Sequence, residues 1–356
     1  MREFLKPASA GQRILVCEIL SKTFLYLPKS LSGTGILPVI LDQSAAEMNM
    51  INLPLKTLFL ILIAIALTGS SIRTRVSAKD SQKNSDTAKL FSYENSVPFD
   101  LKEISTREEN GAEIKDIEYS GQTDRHGRIK AYLIKPKGPG PFAGVVFFHW
   151  LGRPKGDRTQ FLDEAVALTK QGVESLLIQG YFPWKESPVD GPTDRQKIID
   201  QTIEARRALD LLLSQKEVDK KRVAYVGHDY GSMFGGIVAG VDRRAKAYVL
   251  IAGLGKFSPW SLKYWPKTAK QGNEAYEQAV SPLDPIGFVS QAKLATFLFQ
   301  FANTDEFITK DEATAFFDQA TNPKEIKWYD AEHDLSLEAA RKDRDEFLAR
   351  QLHLKK

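Results

Sequence analysis

The sequence predicts an α/β fold in which a mostly parallel central sheet is flanked by helices. The first observation is an alternation: from Gly144 onward, short apolar runs of strand length alternate with stretches whose apolar residues recur at helical spacing. The second is size, because 356 residues that are 42% hydrophobic and 26% charged can bury one large core. Functional side chains in such sheets collect at the carboxyl ends of the strands, so residues that directly follow strands are the candidates for chemistry.

In chain order, the first predicted element is a β-hairpin. Residues 114–119 and 129–134 alternate apolar and polar side chains, and a turn that contains Asp124 and Gly127 separates them. We expect this antiparallel pair to open the folded domain, residues 111–356.

The rest of the domain alternates strands and helices. The predicted strands are 144–148, 173–178, 222–226, 247–251, 295–300 and 326–329. The predicted helices are 159–171, which is closed by Gly172, then 198–213, one that contains Ile237, 311–320 and 335–352. The segment 253–294 interrupts this alternation and is long for a connection, so we expect it to form a small lid.

Residues 48–78 have the features of a secretory signal peptide or an N-terminal anchor. Lys56 precedes an apolar run, 58–67, and small residues end the segment at Ala78. The apolar run is about half of the roughly 20 residues that span a bilayer, which favours a signal peptide over an anchor. The sequence therefore predicts an exported protein, periplasmic or secreted, whose only contact with the membrane is through this segment.

Residues 1–47 precede that segment, although a signal peptide normally stands at the amino terminus. The simplest hypothesis is a later translation start at Met48 or Met50, and a cytoplasmic extension before an anchor is the alternative. Cys17, the only cysteine, lies in residues 1–47, so the processed protein is expected to have neither a disulfide nor a thiol nucleophile. Residues 79–110 are polar without apolar periodicity and are expected to form a linker.

Charge and motif content argue against several partner classes. The formal net charge of +4 is spread along the chain without a basic run, so nucleic acid is not an expected partner. No glycine-rich phosphate loop follows the first parallel strand, and no histidine or glutamate cluster has metal-ligand spacing. We therefore expect no cofactor and no metal, and a small-molecule substrate as the partner.

The sharpest local motif is Gly227-His228-Asp229-Tyr230-Gly231, between a predicted strand and a predicted helix. A tight strand-to-helix turn strains its central residue, and larger side chains at the two flanking positions would collide. The motif therefore predicts a nucleophile elbow centred on Asp229. The alternative is that Asp229 only caps the helix, but capping does not need a glycine on both sides.

Residues 111–356 resemble the α/β hydrolases. Two segments, Phe148-His-Trp-Leu-Gly152 and the strand 218–227 that leads into the elbow, are similar to dienelactone hydrolase-like enzymes. This resemblance implies an oxyanion hole formed by the backbone N–H groups of Trp150 and Tyr230.

The resemblance also implies an acid and then a histidine, each at the end of a later strand. Asp305 and His333 stand at these places and are the predicted acid and base. Alternative carboxylates lie beside them: Glu306, Asp330, Glu332 and Asp334. The other histidines are not expected to act as the base. His149 and His228 are expected to pack in the interior, His126 lies in a turn, and His353 lies near the terminus.

Asp229 occupies the position where these enzymes usually carry serine or cysteine. A carboxylate is already ionised at neutral pH and needs no base to activate it. In this respect Asp229 resembles the nucleophile of haloalkane dehalogenases and epoxide hydrolases, whose elbow can also be Gly-His-Asp-aromatic-Gly. The resemblance implies attack of Asp229 on a saturated carbon, then hydrolysis of the alkyl-enzyme ester by a water that His333, oriented by Asp305, activates.

Two other functions stay open. Carboxylate attack on an ester would form a mixed anhydride, so an ester or lactone hydrolase would use Asp229 or His333 as a general base on water. Alternatively, the protein is a non-catalytic binding protein with a hydrolase fold. The lid aromatics are assigned no role: Trp260, Tyr264, Trp265 and Tyr276.

Overall fold

The structure is a computed structural model that describes residues 89–123 and 127–354. The expected extension 1–47, the signal or anchor segment 48–78, the first part of the predicted linker and His126 lie outside the described residues. Among the described residues, no helix has both the length and the apolar character needed to cross a bilayer.

Within this part of the chain, one nine-stranded sheet runs in the order β1-β2-β3-β5-β4-β6-β7-β8-β9. Its strands are β1 (Lys102–Glu109), β2 (Ala112–Ser120), β3 (Arg128–Pro136), β4 (Phe142–Phe148), β5 (Val173–Ile178), β6 (Val218–His228), β7 (Ala247–Ile251), β8 (Thr296–Ala302) and β9 (Lys324–Tyr329). Strands β4 to β9 are parallel, whereas β1, β2 and β3 form an antiparallel extension that joins β5. The predicted mostly parallel sheet and the antiparallel hairpin are both confirmed.

Helices flank this sheet. They are α1 (Leu162–Leu168), α2 (Gly191–Ser214), α3 (Tyr230–Val241), α4 (Ser258–Tyr264), α5 (Asn273–Val280), α6 (Pro285–Val289), α7 (Lys310–Gln319) and α8 (Glu338–Leu352). Helix α2 begins seven residues before the predicted start, because the Asp190 side chain accepts a hydrogen bond from the Thr193 N–H and caps a polar first turn. Every residue of β4, β5 and β7 is buried, as expected for strands with helices on both faces.

The segment 253–294 contains three of these helices, α4 to α6, joined by short 3₁₀ turns. Some of its aromatic side chains are buried in the core, including Phe257, Trp260 and Tyr276. The segment is therefore packed onto the rest of the fold rather than extended away from it.

The predicted polar linker differs from a solvated arm in two places. Residues 102–109 form strand β1, which pairs antiparallel with β2, and Phe91 is fully buried in the core. All eight side chains of β1 are exposed. The strand is held at the sheet edge by backbone hydrogen bonds and buries no side chain. Its sequence therefore has no alternation of apolar and polar residues from which a strand could be predicted.

Candidate active site

Asp229 occupies the turn between β6 and α3. Its backbone has φ 57° and ψ −120°, and its side chain makes no capping hydrogen bond to α3. A positive φ is uncommon for a residue other than glycine and is costly to hold. The geometry therefore agrees with the predicted elbow and not with the alternative that Asp229 is a helix cap.

The glycines on either side of Asp229 are required by close backbone contacts. A Cβ atom on Gly227 would collide with the carbonyl group of Gly231. A Cβ atom on Gly231 would collide with the carbonyl oxygen of Phe148, at the end of β4. Both collisions are with backbone, which cannot move aside cheaply, so the turn needs glycine at both positions.

The Asp229 side chain points into the protein, and the residue is only 5% exposed. Its Oδ2 accepts a 2.9 Å hydrogen bond from the Leu151 N–H, and the Tyr230 N–H also donates to the carboxylate. Burial raises the pKa of Asp229 to about 6, although the charge of His333 and these two hydrogen bonds act in the opposite direction. At neutral pH the group is a buried carboxylate held by two backbone donors.

The expected donor at Trp150 needs correction. The Trp150 N–H donates to Gln160 Oε1 at 2.8 Å and does not face Asp229. The donor from the loop after β4 is one residue later, at Leu151, and the Tyr230 N–H is the other backbone group that lowers the pKa of the carboxylate. Successive peptide N–H groups of a loop point in different directions, so a strand-end motif alone does not fix which of them faces the site.

Asp305 and His333 are brought together by the loops after β8 and β9. His333 Nδ1 lies 2.8 Å from Asp305 Oδ2 and 3.1 Å from Oδ1. Oδ1 of Asp305 also accepts hydrogen bonds from two backbone groups, the Phe307 and Ile308 N–H. The carboxylate is therefore fixed from both sides, and it orients the imidazole so that Nε2 is the free ring nitrogen.

The charges around His333 favour its protonated form. Burial lowers its pKa, but the hydrogen bond with Asp305 and the negative charges of Asp229 and Asp305 outweigh burial, so the pKa is raised overall. The alternative carboxylates do not take the place of Asp305: Asp330 accepts a hydrogen bond from Asn303 instead, and Glu306, Glu332 and Asp334 are exposed.

The other two described histidines near the elbow are buried and hydrogen-bonded. His149 Nδ1 lies 2.8 Å from the Trp150 carbonyl oxygen, and its Nε2 accepts from the Gly180 N–H. Burial lowers the pKa of His149 to about 4, and it lowers that of His228 well below the usual value. Both are neutral interior side chains, in agreement with the packing role expected from the sequence.

A cavity of about 490 Å³ opens over this group. Asp229, Tyr230 and His333 line it, together with Leu151. Aromatic side chains form much of the remaining wall, three of them from the segment 253–294: Trp150, Trp260, Tyr264, Trp265 and Phe307. Tyr276 does not line this cavity. Its hydroxyl group points to α2 instead, where it donates to Asp194. The space is large enough for a small organic molecule next to the carboxylate.

Two residues at the site were not identified from the sequence, Leu151 and Gln160. Leu151 is adjacent to the expected donor, and only the backbone direction distinguishes the two. Gln160 lies in the loop before α1 and belongs to none of the motifs, so no sequence pattern marks it as a site residue. Within 89–123 and 127–354, no cluster of histidine, cysteine, aspartate or glutamate side chains has the arrangement of a metal site.

Comparison with known proteins gives similarity in structure only. No protein-family model matches the sequence, and no curated protein is similar to it in sequence. Solved structures do match: the acetyl xylan esterase from Paenibacillus sp. R4 has a TM-score of 0.61 and 19% identity, over 76% of this chain and 93% of that one. The acetyl xylan esterase 1 from Thermoanaerobacterium sp. JW/SL YS485 also has a TM-score of 0.61, with 17% identity over 75% and 93% of the two chains.

A third similar structure is the glucuronoyl esterase from Solibacter usitatus, with a TM-score of 0.56 and 12% identity, over 75% of this chain and 91% of that one. At such identities the likeness concerns the arrangement of the sheet and its helices. Together with the strand order and the elbow after β6, these matches establish that the described chain has the α/β-hydrolase fold.

Proposed function

We propose that the protein is a cofactor-free hydrolase that uses Asp229 as a nucleophile on a small electrophilic substrate. The observation that carries the proposal is the Asp229 carboxylate itself. It stands at the elbow, is held by the Leu151 and Tyr230 N–H groups, and borders the cavity beside His333. A carboxylate there is a ready nucleophile for carbon that bears a leaving group.

In the first step, a carboxylate oxygen of Asp229 attacks a saturated carbon. A carbon–oxygen bond forms while the bond from that carbon to its leaving group breaks, and the leaving group departs with the electron pair. The product is an alkyl ester of Asp229. Suitable substrates are alkyl halides, in which a halide ion departs, and epoxides, in which the ring oxygen stays on the alkyl group and takes a proton from solvent water to become a hydroxyl.

In the second step, His333 takes a proton from water, and the resulting hydroxide attacks the ester carbonyl carbon of Asp229. The tetrahedral intermediate carries its negative charge on Oδ2, the oxygen that the Leu151 N–H binds, and one such donor contributes about 3 kcal/mol. The intermediate then expels the alkoxide, which receives the proton from His333. Asp305 stabilises the imidazolium while it exists.

A second candidate is hydrolysis of an ester or lactone without a covalent intermediate. The fold similarity to solved acetyl xylan esterases favours it. In this mechanism Asp229 or His333 takes a proton from water, which attacks the substrate carbonyl directly. A non-catalytic binding role is the third candidate, and nothing at the site favours it.

The finer family assignment and the export of the protein are also proposals. The segments 148–152 and 218–227 support a dienelactone hydrolase-like family. The apolar run 58–67, which follows Lys56, supports export to the periplasm or the medium. Amino-terminal sequencing of the native protein would test export, because a first residue near 79 supports a cleaved signal and peptides from 1–47 contradict it.

The covalent mechanism is tested by mass spectrometry of the full-length His333→Ala variant after exposure to pooled alkyl halides, epoxides and activated esters. Without its base the alkyl-enzyme should accumulate, and peptide mapping should place the added mass on Asp229. The control is His353→Ala, which removes an exposed histidine at the C-terminal end and should accumulate no adduct.

Each outcome distinguishes among the candidates. An adduct on Asp229 supports the proposed mechanism and identifies the substrate class. Ester turnover by the wild type that His333→Ala abolishes without any adduct contradicts covalent catalysis and supports the general-base mechanism. No adduct and no turnover of any pooled compound contradicts both and leaves the binding role.

A further inference from the structure

Gln160 connects two parts of the site through the two ends of its side-chain amide. Its Oε1 accepts the hydrogen bond from the Trp150 N–H at 2.8 Å. Its Nε2 lies 2.6 Å from Nδ1 of His228, the residue before Asp229. Gln160 itself lies in the loop before α1, so one side chain joins the loop after β4 to the elbow after β6.

The ring of His228 continues this chain of hydrogen bonds. Its Nε2 lies 3.0 Å from the backbone carbonyl oxygen of His333. A carbonyl oxygen can only accept, so Nε2 must carry the proton and Nδ1 must accept from the Gln160 amide. The ring is 1% exposed. A neutral His228 ring with its proton on Nε2 therefore satisfies both contacts: Nε2–H donates to the His333 carbonyl oxygen, and Nδ1 accepts from the Gln160 amide.

Ring packing reinforces the same connection. The indole of Trp150 stacks on the His228 ring with a centroid distance of 5.1 Å and an interplanar angle of 9°. The same indole lies 6.3 Å from the His333 ring at 27°. The loops after β4, β6 and β9 are thus joined by hydrogen bonds and by stacked rings.

We propose that Gln160 and His228 are positioning residues for the hydrolysis of the enzyme ester. Gln160 holds the Trp150 N–H, in the peptide just before the one that carries the Leu151 N–H. That next peptide is held at its carbonyl oxygen by the Trp184 indole N–H, so Gln160 completes the support of the Leu151 donor from the other side of Trp150. His228 holds the backbone of His333, and so the place of the base that activates water. This inference rests on the proposed function and adds to it the residues that align the oxyanion donor with the base.

The step that depends most on this alignment is the second one. Alkylation needs only the Asp229 carboxylate and the substrate. Ester hydrolysis needs Leu151 N–H, His333 and a water in one geometry, and a displacement of about 1 Å in such a geometry costs about 100-fold in rate. Loss of either positioning residue should therefore slow hydrolysis much more than alkylation.

The first test is nitrogen-15 NMR of the histidine rings in the full-length protein, which has five histidines. Each ring is assigned by substitution. The expected result is that His228 is the neutral Nε2–H tautomer and does not titrate across the pH range in which the protein is folded. An Nδ1–H tautomer, or titration of His228 near its ordinary pKa, would overturn the proposed connection.

The second test is single-turnover kinetics of His228→Phe and Gln160→Met with a substrate that alkylates Asp229. His228→Phe keeps a ring beneath Trp150, and Gln160→Met keeps the side-chain length. Each variant should hydrolyse the ester about 10- to 100-fold more slowly, while alkylation stays within about threefold of wild type. The alkyl-enzyme should then accumulate during steady-state turnover.

Gln201→Met is the matched control for a general loss of stability. Gln201 is a buried glutamine on α2 that accepts from the Tyr181 and Phe182 N–H groups and does not line the cavity. It should leave the ratio of the two rates unchanged even if the melting temperature falls. Equal slowing of both steps in the His228 and Gln160 variants, or wild-type hydrolysis in both, would overturn the proposal.

Failure of the underlying mechanism has a different signature. If neither wild type nor His333→Ala forms an adduct with any substrate, the proposed function fails and this positioning role fails with it. If adducts form and the variants behave like Gln201→Met, only the positioning role fails.

Discussion

The Leu151 N–H donates a 2.9 Å hydrogen bond to Asp229 Oδ2. Donors at this place in a site that uses serine bind a charge that appears only during the reaction. Here the donor binds a carboxylate that is part of the resting protein. Under the proposed mechanism the same donor binds the same oxygen before alkylation, in the ester and in the tetrahedral intermediate, so little has to move between steps.

Asp229→Asn should separate chemistry from folding. The amide keeps the shape of the side chain and can accept from the Leu151 N–H, but it is not a nucleophile. We expect activity to fall by roughly 10⁴-fold, as when other catalytic residues are removed. The measurement is the single-turnover rate of adduct formation. Retention of the wild-type rate would contradict the assignment of Asp229.

The same substitution should stabilise the protein at alkaline pH. The folded-state pKa of Asp229, about 6, lies above its ordinary value, so the folded state holds this proton more tightly and the contribution of Asp229 to stability falls as pH rises through about 6. Asp229→Asn removes this loss and should raise the free energy of unfolding by about 2 kcal/mol at pH 8, with little change at pH 4. Urea denaturation at the two pH values measures it, with the exposed Asp330→Asn as control.

The two chemical steps should differ in their pH dependence. Alkylation needs ionised Asp229, so its rate should fall as pH drops through about 6. Hydrolysis needs neutral His333, whose pKa in the resting protein is raised in part by the charge of Asp229. Esterification removes that charge, so the pKa of His333 should be lower in the alkyl-enzyme than in the free protein.

Rapid-quench kinetics of each step, set beside NMR titration of His333 in the free protein, test this expectation. The hydrolysis rate should reach half of its maximum at a pH below the free-protein pKa of His333. A midpoint at or above that pKa would show that Asp229 and His333 do not influence each other as proposed.

The sequence predicts features that depend on local constraints. Apolar periodicity identifies the parallel strands, and the collisions that a Cβ would meet at Gly227 and Gly231 identify the elbow. Asp305 and His333 are found for a related reason. Parallel strands end at one edge of the sheet, so residues directly after β8 and β9 are neighbours of Asp229 although they are distant in sequence.

The features that the sequence does not predict depend on how separate loops meet. Whether Trp150 or Leu151 donates to Asp229 is decided by the directions of two successive peptide planes. The Gln160 side chain holds the first plane at the Trp150 N–H, and the Trp184 indole holds the second at the Trp150 carbonyl oxygen. Gln160 and His228 are 68 residues apart, and no local pattern links them. Strand β1 is not predicted for a different reason: all its side chains are exposed, so its sequence has no apolar alternation.

Glu174 on β5 should make the whole protein less stable at higher pH. Its side chain is fully buried, neither carboxyl oxygen has a hydrogen-bond partner, and Lys135 lies 3.8 Å away. Burial raises the pKa of Glu174 to about 7. At this residue the folded state therefore binds more protons than the unfolded state between about pH 4.5 and 7, and the contribution of Glu174 to stability falls across this range.

Glu174→Gln should flatten that part of the profile. We expect the variant to lose about 2 kcal/mol less than the wild type between pH 5 and pH 8, as measured by urea denaturation. Glu325→Gln, which removes a partly exposed acid on β9 that pairs with Arg350 at the surface, is the control and should give a profile parallel to that of the wild type. A Glu174→Gln profile that is parallel to that of the wild type would contradict the assignment of this loss to Glu174.

Asp229→Ser should convert the site to ester hydrolysis. Serine would leave the Leu151 and Tyr230 N–H groups free to bind an oxyanion, and the His333–Asp305 pair is already in place to take the hydroxyl proton. Hydrolysis of an activated acetate ester should exceed that of Asp229→Ala by about 100-fold, because the added hydroxyl is the only nucleophile that differs between the two.

The measurement is burst kinetics with a chromogenic acetate, followed by mass spectrometry for an acetylated residue 229. The double variant Asp229→Ser with His333→Ala separates a serine mechanism from hydrolysis elsewhere on the surface, since it should lose the gained activity. If Asp229→Ser folds normally and hydrolyses no more ester than Asp229→Ala, the His333–Asp305 pair is not aligned for attack from the elbow. The proposed roles of both residues would then need revision, whatever the native substrate is.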